Sequence, residues 1–202
     1  MNKGNLRSHF IAVLNRSDIT NSLADTFIDQ GITRIQRTLR IPAMEAQQTY
    51  AISIQTGSIV VPSDMLELMD VYFDKTTLTR VPMEEMLQMK DIGETGTPMY
   101  FTRERSKLLL YPEPASGSVV VNYYAEFAEM TSDSDENTIA KVASDLIVYA
   151  ALTYAADYFL DERAELFTGK FGQFMAELQG QADDAETAGS LQVMRPSATY
   201  TD

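Results

Sequence analysis

The chain has 202 residues, 45% hydrophobic and 22% charged, with a net charge of −13. That composition suits one globular domain, or a domain carrying an inserted unit. Cysteine is absent and His9 is the single histidine, which excludes disulfides, thiolate metal sites and cysteine nucleophiles and removes the usual zinc sites and histidine dyads.

Leu6, Phe10, Val13 and Leu14 recur at helical spacing and predict a short first helix. A longer one runs from about Ile19 to Leu39, with Ser17 or Asp18 as its cap and Pro42 closing the segment. Gly31 inside it costs about 1 kcal/mol against alanine, which points to a bend or to close packing. Arg34, Arg37 and Arg40 project from the last turns, where cations suit the helix dipole. Tyr50–Gln55 alternates with period two, and Ser58–Val61 follows Gly57, so the pair reads as a hairpin. Residues 62–66 read as a turn or one helical turn. Leu68–Phe73 and Thr76–Arg80 make a second hairpin across Asp74 and Lys75, and Pro82 opens a short helix over Met83–Met89. Gly93–Pro98 is a loop, and three short strands with breakers only at their turns fill the stretch to Met130.

An acidic link over Thr131–Glu136 leads to a second helical half, capped by Asn137 or Ser144. Residues 142–159 are apolar over much of a helix's circumference, as a central buried helix requires. Leu146–Leu160, the longest apolar stretch, is shorter than a membrane span and contains Asp157. Glu162 to about Ala185 is amphipathic: Leu166, Phe167, Phe171, Phe174, Met175 and Leu178 form its apolar side, with Glu165, Lys170, Glu177 and Asp184 opposite. Ala188–Asp202 contains Gly189 and Pro196 and has no period, so it reads as an extended tail that a partner would order. The N-terminus lacks the apolar core of a signal peptide, because Arg7, Ser8 and His9 interrupt it, and a cytosolic product is expected. The expected fold is α+β: a helical bundle from 1–45 and 132–187, an inserted β-rich module at 46–131, and a tail at 188–202.

Candidate chemistry is sparse. Gly93-x-x-Gly96 lacks the lysine–serine or lysine–threonine of a phosphate loop and reads as a flexible loop. The paired carboxylates Glu84–Glu85 and Asp161–Glu162 stand at helix starts, where acids serve the dipole and solvation. Asp133, Asp135 and Glu136 resemble a calcium loop but lack its glycine and distal glutamate. Arg103, Arg105 and Lys107 fall at alternate positions, as on one strand face, after Tyr100 and Phe101. They suit a solvated face or a subunit contact, and a single-stranded nucleic acid is the rival occupant. Met83, Met86 and Met89 read equally as core filling or as an adaptable protein surface. Tyr123, Tyr124, Tyr149, Tyr154 and Tyr158 suit either an interface or a strand-on-helix core. The charge is uneven too. Lys3, Arg7, Arg16, Arg34, Arg37 and Arg40 against Asp18, Asp25 and Asp29 give residues 1–40 a net +3, leaving −16 for the rest. Such a balance opposes tight nucleic-acid binding.

Six phrases, in this order and spacing, carry a resemblance: Ile35–Pro42 with Met44–Glu45; Val61–Glu67; Gly96–Tyr100; Leu108–Pro114; Val119–Tyr124; and Leu146–Leu152. In them the chain, from about Leu6 to Ala185, resembles the head-to-tail adaptor (connector) proteins of tailed bacteriophages. The resemblance implies a non-enzymatic virion protein with no cofactor and no metal, assembled in the host cytoplasm and resident in the head–tail neck. It implies a homo-oligomeric ring, usually twelvefold, that joins the portal protein to a tail or nozzle protein. DNA would pass through the lumen without specific binding, and no membrane is involved. A tail reaching along the portal would comprise Leu191, Val193, Met194, Arg195, Pro196 and Tyr200; candidate subunit-interface residues are Arg34, Arg37, Arg40, Arg103, Arg105 and Tyr123. The rival readings are another virion subunit, in the tail tube or completing the head, and a DNA-packaging accessory that uses the arginines.

Overall fold

A computed structural model describes residues 1–187, in two compact units: Met1–Ile41 with the chain from Thr131 onward, and Pro42–Met130. The expected tail at 188–202 lies outside the described residues.

Helix α1 spans Lys3–Leu14, and the Asn2 side chain caps it by accepting from the Asn5 amide at 2.9 Å. Leu6, Phe10 and Leu14 are fully buried along one stripe. Helix α2, Asn21–Thr38, is capped by Thr20 rather than by Ser17 or Asp18. Thr20 holds the extended backbone a cap needs, and its hydroxyl accepts from the Leu23 amide.

The chain then turns through a 3-10 turn at Pro42–Met44 into the β unit. Its strands are β1 (Glu45–Ile52), β2 (Ser58–Val60), β3 (Met65–Phe73), β4 (Thr76–Thr77) and β5 (Thr79–Arg80). Helix α3 (Met83–Ile92) follows, then β6 (Tyr100–Glu104), β7 (Lys107–Tyr111) and β8 (Gly117–Ala125). They form two four-stranded sheets. Sheet one has the order β1-β8-β3-β4 and sheet two the order β2-β7-β6-β5. All pairs are antiparallel except β5 with β6.

This topology corrects two expectations. The predicted hairpin of Tyr50–Gln55 with Ser58–Val61 does not form, because β1 pairs with β8 and β2 with β7. Nor do the last three strands make one meander: β6 and β7 are a hairpin, but β8 enters the other sheet between β1 and β3. Local alternation identifies strands and is blind to which distant strand completes the ladder. The hairpin across Asp74 and Lys75 forms in part, with Tyr72 opposite Thr77 and Phe73 opposite Thr76, but Thr79–Arg80 leaves it to pair with β6 in the other sheet.

The two sheets share one apolar layer. Ile52, Val71, Phe73, Val119, Val121 and Tyr123 come from sheet one, while Ile59, Phe101, Leu108 and Leu110 come from sheet two. Gly117 is required at its place: φ is +132°, and a Cβ there would stand 2.4 Å from the Phe73 ring. The other side of sheet two, through Leu109 and Tyr111, packs on Met86 of α3. Met86 is fully buried, with Met83 and Met89 against the same cluster, so these methionines fill the core.

The helical unit resumes with α4 (Thr138–Val142), capped by Asn137, and α5 (Ser144–Phe159), which lacks a side-chain cap. Helix α6 runs over Ala164–Thr187. Helix α5 is the axis of this unit and packs on α1, α2, α4 and α6. Leu146, Ile147, Val148, Ala150, Ala151, Leu152, Ala155 and Ala156 are all buried, so it is wrapped on every side. Gly31 lets α2 approach closely, since a Cβ there would meet the Ala151 nitrogen at 2.9 Å. On α6, Phe167 and Phe171 are buried while Leu166 is 57% exposed, so the apolar side excludes Leu166.

Candidate interaction surfaces

The arginines at the end of α2 divide by what they touch. Arg34 donates to the Thr153 hydroxyl at 2.9 Å and stacks over the Phe171 ring at 4.5 Å, tying α2 to α5 and α6. Arg40 donates to the carbonyls of Gln36 and Leu39, closing the C-terminus of α2. Gln179 of α6 brackets the same residue, accepting from its amide and donating to its carbonyl. Arg37 is exposed. Tyr123 is 4% exposed and donates to Asp64 at 3.1 Å, with burial the larger cause of its raised pKa. The tail residues Leu191, Val193, Met194, Arg195, Pro196 and Tyr200 lie outside the described residues.

Arg103, Arg105 and Lys107 do not share a strand face. Arg103, next to last in β6, lies on the side of Phe101 and Leu108, whereas Lys107 pairs with Glu104 on the opposite side. Arg105 lies between the strands in a two-residue turn, with φ +53°. Its carbonyl accepts from the Arg103 Nε at 3.1 Å. These three exposed cations stand at the hairpin end of sheet two, while Arg80 on β5 lies beside Phe101, near the start of β6. A two-residue hairpin loop favours asparagine or glycine at such a position; an arginine held there costs about 1 kcal/mol.

Sheet one keeps its second face open. The register puts Glu45, Gln47 and Thr49 of β1 in rows with Tyr124, Asn122 and Val120 of β8 and with Glu67, Asp70 and Tyr72 of β3. The three carboxylates are exposed, and Gln47 donates across the strands to Asn122 at 3.0 Å. This face carries no lysine or arginine.

In the helical unit, Arg7 and Arg163 tie distant segments together, and Asp135 closes a local turn. Arg7 reaches Asp25 at 2.6 Å and Asp133 at 2.6 Å, which raises its pKa and lowers that of Asp133. Asp135 accepts from the hydroxyls and amides of Ser132 and Thr131 and is held down to about 2. Arg163 donates to Asp161 at 2.7 Å and to the Leu14 carbonyl at 2.8 Å, capping α1; Asp161 is thereby held at about 2. The acidic link is therefore a hydrogen-bonded turn. Sequence reasoning passed over Arg7, whose partners stand on other segments, and over Arg163, whose bond to the Leu14 carbonyl no local pattern reveals.

Gly93 terminates α3 in a left-handed cap, φ +73°, and the Gly96 amide donates to the Glu113 carbonyl, so this loop stops a helix. A cavity of about 110 Å³ beside it is lined by Lys90, Tyr111 and Glu113, and one of about 130 Å³ lies between α5 and α6. Among the described residues no group of three or more His, Cys, Asp or Glu could hold a metal ion. No helix among them is long and apolar enough to cross a membrane. The described residues present a basic hairpin tip, an acidic sheet face and an exposed Arg37.

Such a molecule fits the class of structural assembly proteins. The sequence matches the SU10 adaptor protein family over residues 1–195, and the chain belongs to that family of phage head-to-tail adaptors. No curated protein sequence matches the chain.

Proposed function

We propose that this protein is a structural neck component: copies of it close a twelvefold ring that joins the portal to the tail and continues the DNA channel. The observation that carries the reading is the family match across nearly the whole chain. Two features are consistent with it. A ring needs two different surfaces on each subunit, and the β unit offers a basic tip and an acidic face. A net charge of −13 disfavours retention of packaged DNA.

Assembly proceeds by docking on the portal, where residues 191–200 make their contact, followed by side-to-side closure. Ordering the tail only on docking delays its entropic cost to that step, which favours sequential addition. Of the proposed interface residues, Arg37, Arg103 and Arg105 have exposed side chains, whereas Arg34, Arg40 and Tyr123 are engaged within the chain. Cryo-electron microscopy of intact virions tests the proposal: density for this chain is expected between portal and tail. Density in the tail tube or on the capsid surface would overturn it.

A further inference from the structure

We propose that the basic tip of the β6–β7 hairpin docks on the open face of sheet one in a second copy of this chain. The pairing rests on the ring reading above and names the surfaces that close it. Three observations carry it.

The first is charge complementarity. Arg103, Arg105 and Lys107 stand at the β6–β7 hairpin end of sheet two, in a chain that is acidic overall. The open face of sheet one carries Glu45, Glu67 and Asp70 and no cation. Half-buried Tyr72 and Tyr124 stand beside those carboxylates and offer ring faces that suit guanidinium groups. The second is an unprotected edge. Strand β1 borders sheet one, holds eight residues in unbroken register with β8, and has no lysine, proline or bulge. Those are the devices by which natural edge strands avoid unwanted pairing. Among the described residues, no strand pairs with its other side. The face on which the hairpin docks adjoins this edge. The third is Arg105, held left-handed at an exposed tip, an outlier that motivates a functional reading of its side chain.

Geometry makes the contact intermolecular. The open face of sheet one points away from sheet two, whose hairpin supplies the tip, so one chain cannot satisfy both surfaces itself. Each subunit gives a different surface to each neighbour, the arrangement that closes rings rather than dimers.

The absence of cysteine permits a clean test. A Gln47→Cys/Ser106→Cys double variant keeps every charge in the contact. Treated with a short bis-maleimide on tail-less heads that carry portal, it is expected to give a ladder of cross-linked oligomers, and each single variant no ladder. In parallel, Arg103→Glu/Arg105→Glu and Glu67→Arg/Asp70→Arg are each expected to weaken self-association about tenfold or more, and a mixture of the two to restore it. Wild-type protein bound to heads without a ladder from the double-cysteine variant overturns this pairing and leaves the ring reading standing. Charge variants that assemble like wild type overturn it as well. Loss of duplex DNA retention on arginine reversal, with self-association unchanged, would make the tip a nucleic-acid surface instead. Wild-type protein that does not bind the heads at all defeats the ring reading and the pairing together.

Discussion

Arg34 shows how a residue's chemistry is decided by what lies beside it in space. Its guanidinium bonds Thr153 and covers Phe171, two contacts to helices more than a hundred residues away in sequence. Removing it in Arg34→Ala is expected to cost about 1–2 kcal/mol, from one charge-assisted hydrogen bond and one cation–π contact. Urea unfolding measures it; an unchanged midpoint would show that the stack contributes nothing. The carboxylates give a pH signature. Hydrogen bonds from Ser132 hold Asp135 at about 2, and Arg163 holds Asp161 at about 2, both below the ordinary 3.8. Depressed pKa values mean the stabilisation is complete above about pH 4 and is lost as pH falls through 2. The urea midpoint is therefore expected to drop between pH 4 and 2, and Asp135→Asn to flatten part of that drop. An equal slope in the variant would show that the acid sensitivity arises elsewhere.

At the level of single elements, the β6–β7 turn sets stability against use. Arg105→Gly relieves a left-handed arginine and is expected to stabilise the chain by about 1 kcal/mol, discounted by the freedom glycine gains when unfolded. Self-association on the portal should weaken in the same variant. A thermal melt and a cross-linking titration read the two effects; a variant both less stable and fully assembling would contradict the assignment of strain and use to one residue.

The legibility of elements follows the range of the forces that make them. Helices α2 and α5 were readable because their apolar period is local, and the Asp74–Lys75 hairpin because its partners adjoin. Partners of β1 and β8, some seventy residues apart, were not, since any alternating strand offers the same ladder. The candidate arginines were visible as charges. Alternation placed Arg105 on a strand, however, when two residues of turn break the period there. The caps and clusters of Arg7 and Arg163 needed tertiary contacts to be seen.

For the whole molecule, the decisive quantity is how charge is arranged relative to the DNA that an adaptor must let pass. Duplex binding requires several cations placed to displace counterions, and affinity falls steeply with salt when few phosphates are met. Here the exposed cations of the β unit are few, with Arg103, Arg105 and Lys107 at one hairpin end and Lys75 and Arg80 elsewhere, against an excess of carboxylates over the chain. The hairpin end offers three cations to phosphates, and the long-range field of a −13 chain opposes the approach. The full-length protein is therefore expected to leave duplex DNA unshifted in a gel at micromolar concentration and about 0.15 M salt, with weak retention emerging only as salt is lowered. A shift that persists at about 0.3 M salt would mean that the hairpin cations, rather than the acidic excess, face the genome, and a channel lined by this chain would then grip DNA instead of letting it slide.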